Sequence, residues 1–152
     1  MNAGDIENNR KMFFLLSDLC KTVRWCRQDS VFCDNITFTQ FFILDAIAKK
    51  DKLKMADLHR ILAVDKSTTT RLLNPLVNQG LIRRDKSKSD QRAVDLTLKE
   101  KGRETHGRAW TCIEGFVQAI NEGIPEARRA VLYEDLRLFA QAVRNAALNR
   151  CR

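Results

Sequence analysis

Between Asp65 and Leu98 the apolar residues change their period once, and that change limits the folds open to this chain. Up to Gly80 the spacing is helical. Thr69, Leu72, Leu73 and Leu76 share one face, and Ser67, Thr68, Thr70, Arg71 and Asn74 share the other. Asp65 stands where an N-cap belongs, and Gly80 where a helix-closing glycine belongs. Pro75 inside the pattern predicts a kink or a one-turn restart. Leu81 to Arg84 then reads as short and extended, and Asp85 to Gln91 as a polar tip. From Ala93 to Leu98 the sequence alternates strictly, with Val94, Leu96 and Leu98 on the inward side of a strand. A helix therefore runs through one glycine into a β-hairpin with a long basic tip.

The rest of the chain reads as helical. Residues 5–27 carry Phe13, Leu16, Cys20 and Val23 at helical spacing, and a turn region runs from Gln28 to Asn35. Thr37 opens a second helix with Gln40 as its capping-box partner and Ile36 and Phe41 as a hydrophobic staple. A short third helix, Lys54 to Leu62, buries Met55, Leu58 and either Ile61 or Leu62. Another begins near Lys99 and carries Gly102, Ala109, Ile113, Phe116 and Ile120 on one stripe. Pro125 starts the last, whose apolar residues include Leu132, Leu136, Phe139 and Val143. The expected class is mainly α with a small β-hairpin wing. Short helices followed by a hairpin make a winged helix-turn-helix lobe over 36–98. It lies between an N-terminal helix and turn (1–35) and long C-terminal helices (99–152).

Charge supports a nucleic-acid partner for that lobe. The 152 residues carry a formal charge of +8, and twelve basic against five acidic residues from Lys49 to Arg92 account for seven of the eight. Such a concentration fits a surface facing nucleic acid better than an ordinary solvated face. A helix fits the major groove, and short hydrogen-bonding side chains suit base edges. The candidate groove residues are Lys66, Ser67, Thr68, Thr70, Arg71 and Asn74. Arg71 would hold a guanine or a phosphate. Arg84, Lys86, Lys88 and Arg92 on the hairpin would reach the backbone or the minor groove. A winged-helix interaction module that binds no DNA is the rival; acidic residues at 67–74 would favour it, and there are none.

In order and spacing, several motifs resemble one family. Ile36-Thr37-x-x-Gln40, Asp57-Leu58, the run Val64-Asp65-Lys66-Ser67-Thr68-Thr69-Thr70-Arg71-Leu72-Leu73, Gly80-Leu81-Ile82, Arg84, Asp90-Gln91-Arg92 and Gly102 are similar to the MarR-type transcription regulators. The resemblance covers roughly residues 36–102. It implies a homodimer held by its first and last helices, with two lobes on a pseudo-palindromic double-stranded DNA operator. It also implies that Arg92 enters the minor groove and Asp90 braces the wing. Members are usually repressors relieved by phenolic ligands, metals or oxidation. The chain departs from the pattern at His59 (usually alanine), Ala63 (often glycine), Thr69 (usually apolar) and Lys99 (usually a threonine cap). Thr97-x-x-Glu100 offers a capping box shifted by two residues.

Other chemistry finds little support. No Gly-x-Ser-x-Gly, phosphate-binding glycine loop or His-Glu-x-x-His occurs, so neither an enzyme nor a cofactor is expected. No Cys-x-x-Cys or His-x-x-x-His spacing exists for a metal. Five cysteines cannot all pair within one chain, which fits a reducing cytoplasm. Apolar runs are too short for a bilayer, and the first residues do not read as a signal peptide. Trp25, Phe41 and Trp110 are candidates for lining a pocket for a small aromatic or anionic effector, though such aromatics are more often plain core. Cys20 and Cys26 are the candidates for an alternative, redox-sensing regulator, against the blander reading of idle thiols. The leading expectation is a homodimeric, sequence-specific DNA-binding regulator, a repressor released by a small ligand.

Overall fold

Capping chemistry sets where the helices begin in the computed structural model, which describes residues 3–22, 31–87, 90 and 93–150. The elements are α1 (Ala3–Thr22), β1 (Val31–Cys33), β2 (Ile36–Thr37), α2 (Phe38–Ala48), β3 (Leu53–Lys54), α3 (Met55–Leu62), α4 (Lys66–Asn78), β4 (Ile82–Lys86), β5 (Val94–Leu98), α5 (Glu100–Glu122) and α6 (Glu126–Arg150). The class is as expected, mainly helical with a small antiparallel sheet. The chain divides into two compact units, Met1–Trp110 and Thr111–Arg152.

At the start of α2 the capping box forms as read. Gln40 N–H donates to Thr37 Oγ1 at 3.2 Å, and Thr37 N–H donates to Gln40 Oε1 at 2.8 Å. Phe41, Ile43, Leu44 and Ile47 of this helix are buried. Leu58 of α3, Leu73 and Leu76 of α4, and Leu96 of β5 are buried with them, forming the core of the lobe. On α3 Ile61 is 52% exposed, so Leu62 takes the inward role.

Three local features differ from the sequence expectation. The segment read as a turn up to Asn35 contains a hairpin: β1 pairs antiparallel with β2 through Asp34 and Asn35, at φ 48° and 62°. Asp and Asn tolerate the left-handed region that a tight two-residue turn requires. Lys54 belongs to a strand, because β3 pairs with β5 and completes a sheet of order β3-β5-β4. Two residues are too few to show a strand's alternation in sequence. Finally, α4 continues as one helix through Pro75 with no restart, at the loss of the bond the missing N–H would have made. The helix closes soon after. Gly80, at φ 73°, donates to the Val77 carbonyl at 3.0 Å, and Leu81 N–H donates to the Leu76 carbonyl at 2.9 Å.

Ala63 ends α3 in the left-handed region, at φ 52° and ψ 33°, with its N–H on the His59 carbonyl at 3.1 Å. A Cβ there costs about 1–2 kcal/mol. Glycine's greater freedom in the unfolded chain offsets about 0.4–1 kcal/mol of the relief. Ala63→Gly should therefore stabilise the lobe by about 0.5–1 kcal/mol, read as a higher urea midpoint at unchanged slope. At His59, the other departure nearby, Nδ1 is buried without a hydrogen-bond partner.

In the second unit, Tyr133 O–H donates to Asn121 Oδ1 at 2.5 Å and Arg129 Nε donates to the Ile124 carbonyl at 3.1 Å. Val131, Leu136 and Leu138 on α6 are exposed, as are Phe13, Phe14 and Leu15 on α1. No helix among the described residues is long and apolar enough to cross a membrane.

Candidate nucleic-acid interface

The start of α4 is organised by one carboxylate. Asp65 Oδ1 accepts from Thr68 N–H at 2.8 Å and from the Ser67 hydroxyl at 2.5 Å; Oδ2 accepts from the Thr68 hydroxyl at 2.7 Å. The Ser67 hydroxyl, then the Thr68 hydroxyl and amide, hold the Asp65 carboxyl well below the usual carboxylate range. Thr69 turns inward and is fully buried, its hydroxyl donating to the Asp65 carbonyl at 3.2 Å. This explains why a threonine serves where an apolar residue is usual: its proton has a backbone acceptor and its methyl joins the core. Lys66, Ser67, Arg71 and Asn74 are exposed, and Thr68 and Thr70 half-buried. Residues 67, 70, 71 and 74 thus form one outward stripe.

Arg84 joins this stripe to the hairpin. Its Nη1 donates to Asn74 Oδ1 at 3.2 Å, so the two candidate residues brace each other. Lys86 is exposed at the end of β4, opposite Val94. Lys88 and Arg92 lie outside the described residues. The Asp90 carbonyl accepts the Ala93 N–H at 2.9 Å near the tip.

A support that the sequence reading missed sits at the wing's base. Asp95 occupies the strand face that alternation assigns to the outside, yet it is only 3% exposed. It pairs with Lys52 at 2.8 Å. The Lys52 ammonium, then the Ser87 hydroxyl, outweigh burial and hold the Asp95 carboxyl below its ordinary value. Ser87, itself buried, donates its N–H to the Ala93 carbonyl at 2.9 Å. Lys52, just before β3, and Ser87, just after β4, meet this aspartate because β5 lies between those two strands, and strand order is not visible in a local pattern.

The aromatic candidates form a packed cluster. Phe41 is buried, stacked on His106 with centroids 5.6 Å apart and edge-on to Trp110 at 5.4 Å. Trp25 lies outside the described residues. His106 Nε2 is 3.2 Å from Asp45 Oδ1 and 3.1 Å from Trp110 Nε1. Trp Nε1 only donates, so the imidazole nitrogen satisfies one partner at a time. Burial works to raise the Asp45 carboxyl, and Lys49 (2.6 Å) and His106 outweigh it, leaving it below its ordinary value. Arg108, 2.6 Å from Asp34, lowers that carboxyl as well.

These shifts fix the sign of the acid response. Carboxyls lowered on folding contribute stability above their ordinary value of 3.8 and lose it as pH falls through the folded values. Thermal midpoints should be flat from about pH 7 to 5 and fall below about pH 4. Asp45→Asn should flatten that fall.

Among the cysteines, Cys20 is free and exposed, and Cys26 lies outside the described residues. Cys33 and Cys112 are each disulfide-bonded. The Cys33 sulfur lies 3.7 Å from the Arg108 carbonyl. No group of three or more His, Cys, Asp or Glu among the described residues could hold a metal ion.

A helix with a polar stripe tied to a basic hairpin, itself part of a three-stranded sheet, is a winged-helix lobe, and residues 36–94 match the model of the MarR family. Over this stretch the chain is similar to the MarR family. It is 34% identical over 68 residues to the HTH-type transcriptional regulator SarZ of Staphylococcus haemolyticus, covering 45% of this chain and 46% of that protein. The chain spans about half the length of the curated relatives it matches. Streptococcus pneumoniae FabT, solved in complex with DNA, is similar at 26% identity and a TM-score of 0.66, covering 95% of this chain and 99% of that one. Bacillus subtilis YusO shares the fold at a TM-score of 0.70, with 20% identity over 93% of this chain and 99% of its own.

Proposed function

We propose that this chain is a MarR-family transcriptional regulator that binds a double-stranded DNA operator in a sequence-specific way. One observation carries the reading: the outward stripe of α4 is joined to the wing by the Arg84–Asn74 hydrogen bond, in the segment holding seven of the eight surplus charges. Lys66, Ser67, Thr68, Thr70, Arg71 and Asn74 enter the major groove. Arg84 and Lys86, with Lys88 and Arg92, follow the backbone or the minor groove. The solved complex of FabT with DNA supports this use of the fold. The exposed apolar residues of α1 and α6 supply a homodimer interface, so the operator is pseudo-palindromic. The protein acts in the cytoplasm as a repressor, released by a small aromatic or anionic effector. Selection of bound sequences from random duplexes tests the reading. Enrichment of a palindrome is the expected result, and a pool that stays random refutes operator binding.

A second mode of release is favoured by the disulfide-bonded state of Cys33 and Cys112. In that case reductant shifts operator affinity, and replacing both cysteines by serine removes the shift while Cys20→Ser does not.

A further inference from the structure

The hydroxyl protons along the exposed start of α4 all point back into the protein. Ser67 Oγ is 2.5 Å from Asp65 Oδ1, Thr68 Oγ1 is 2.7 Å from Oδ2, and Thr70 Oγ1 is 2.9 Å from the Lys66 carbonyl. Carboxylate and carbonyl oxygens only accept, and a hydroxyl has one proton, so each of these hydroxyls donates inward. Only oxygen lone pairs remain to face outward. The low pKa of Asp65 keeps it ionised, and therefore acceptor-only, at any pH where DNA is bound. Toward the other end of the stripe the polarity reverses. Asn74 Oδ1 accepts from Arg84 Nη1 at 3.2 Å, which leaves the amide NH2 as the outward group. Arg71 is exposed and offers donors only.

We infer that α4 reads DNA through this fixed polarity, with Asp65 and Arg84 setting it without needing to touch a base. Acceptors at Ser67, Thr68 and Thr70 select bases that present an exocyclic amino group in the major groove, adenine N6 or cytosine N4. Donors at Arg71 and Asn74 select the N7 and O6 edge of guanine. A base acceptor opposite the hydroxyl oxygens would set lone pair against lone pair. The inference rests on the DNA-binding reading above and deepens it: Asp65 becomes a positioning residue for specificity as well as a helix cap.

The test uses the full-length protein and the sequence it selects from random duplexes. Each selected adenine or cytosine is replaced in turn by the base lacking its exocyclic amine, and each purine by its 7-deaza form. Wild type should lose roughly three- to tenfold in affinity for each amine read by a hydroxyl. Ser67→Ala and Thr70→Val should be insensitive at those positions, while Thr70→Ser restores the sensitivity. Asp65→Asn keeps a competent N-cap but can donate as well as accept, so the helix survives and the preference at the Ser67 and Thr68 positions relaxes. The positions read by Thr70 and Arg71 stay unchanged in that variant. If the hydroxyl-dependent positions respond to loss of N7 and not to loss of the amine, the hydroxyls donate and the inference is overturned while operator binding stands. A wild type that enriches no sequence overturns operator binding and the inference together.

Discussion

Gly102→Ala is expected to cost about 3 kcal/mol or more, at or above the top of the usual range for overpacking. A Cβ on Gly102 would lie 2.1 Å from the Leu81 carbonyl oxygen and 3.0 Å from its carbonyl carbon. Both are backbone atoms, so no side chain can swing aside. That carbonyl is also committed, accepting the Lys99 N–H at 2.9 Å, while the Leu81 N–H closes α4 on the Leu76 carbonyl. Relief therefore means lifting the start of α5 or rotating a peptide shared by the end of α4 and the root of β4. Either change disturbs the position of the wing relative to the groove helix. The thermal midpoint should drop by roughly 10–20 °C, at a few degrees per kcal/mol for a domain of this size. Gly107 and Gly115, also on α5, have open space where an alanine Cβ would lie, and they serve as controls. Alanine at either should be neutral or add up to about 1 kcal/mol through helix propensity. If Gly102→Ala melts like those controls, the close approach of α5 to Leu81 is not what holds the two together.

The sequence placed Gly102 on the inward stripe of its helix but carried no sign that its partner would be a backbone carbonyl. The same limit recurs elsewhere. Features set by near neighbours were legible: the Thr37–Gln40 box, the Asp65 cap, the Gly80 turn and the two faces of α4 all depend on residues within a few positions. Features set by partners far along the chain were not. Asp95 reads as a solvent-facing position in an alternating strand, and only the pairing with β3 and the reach of Lys52 make it buried. The Asp34–Arg108 pair spans 74 positions and left no local trace. The hairpin turn was missed for another reason. Asp34-Asn35 between short apolar stretches is a usable turn signal, but three residues on one side and two on the other are too few to alternate convincingly. On the candidate face of α4, Lys66, Ser67, Arg71 and Asn74 are exposed as the helical spacing predicts, with Thr68 and Thr70 half-buried. The hydroxyl orientations of Ser67 and Thr68 depend on Asp65, which the sequence marked only as a cap, and that of Thr70 on the Lys66 carbonyl.

DNA affinity should fall steeply with salt, and Arg71 provides the sharpest use of that dependence. Each phosphate contact releases counterions, so log affinity against log salt has a slope near −0.9 per contact on B-DNA. Lys66, Arg71, Arg84 and Lys86 are the exposed cations of the interface among the described residues. Three to four phosphate contacts per lobe, doubled in a dimer, give a slope of about −5 to −7 and a loss of about 10³-fold or more between 50 and 200 mM salt. Arg71→Ala separates two roles. If Arg71 holds a phosphate, the variant weakens all duplexes alike and the slope becomes shallower by about one per lobe. If it reads a guanine, the slope is nearly unchanged, the chosen operator loses about 1–3 kcal/mol per lobe and specificity relaxes at one position in each half-site. The second result is expected. Arg71 makes no hydrogen bond or ion pair among the described residues, follows Thr70 on the outward stripe and precedes the braced Asn74 by less than one turn. A shallower slope with uniform loss would move Arg71 to the backbone and leave base recognition to the hydroxyls and Asn74.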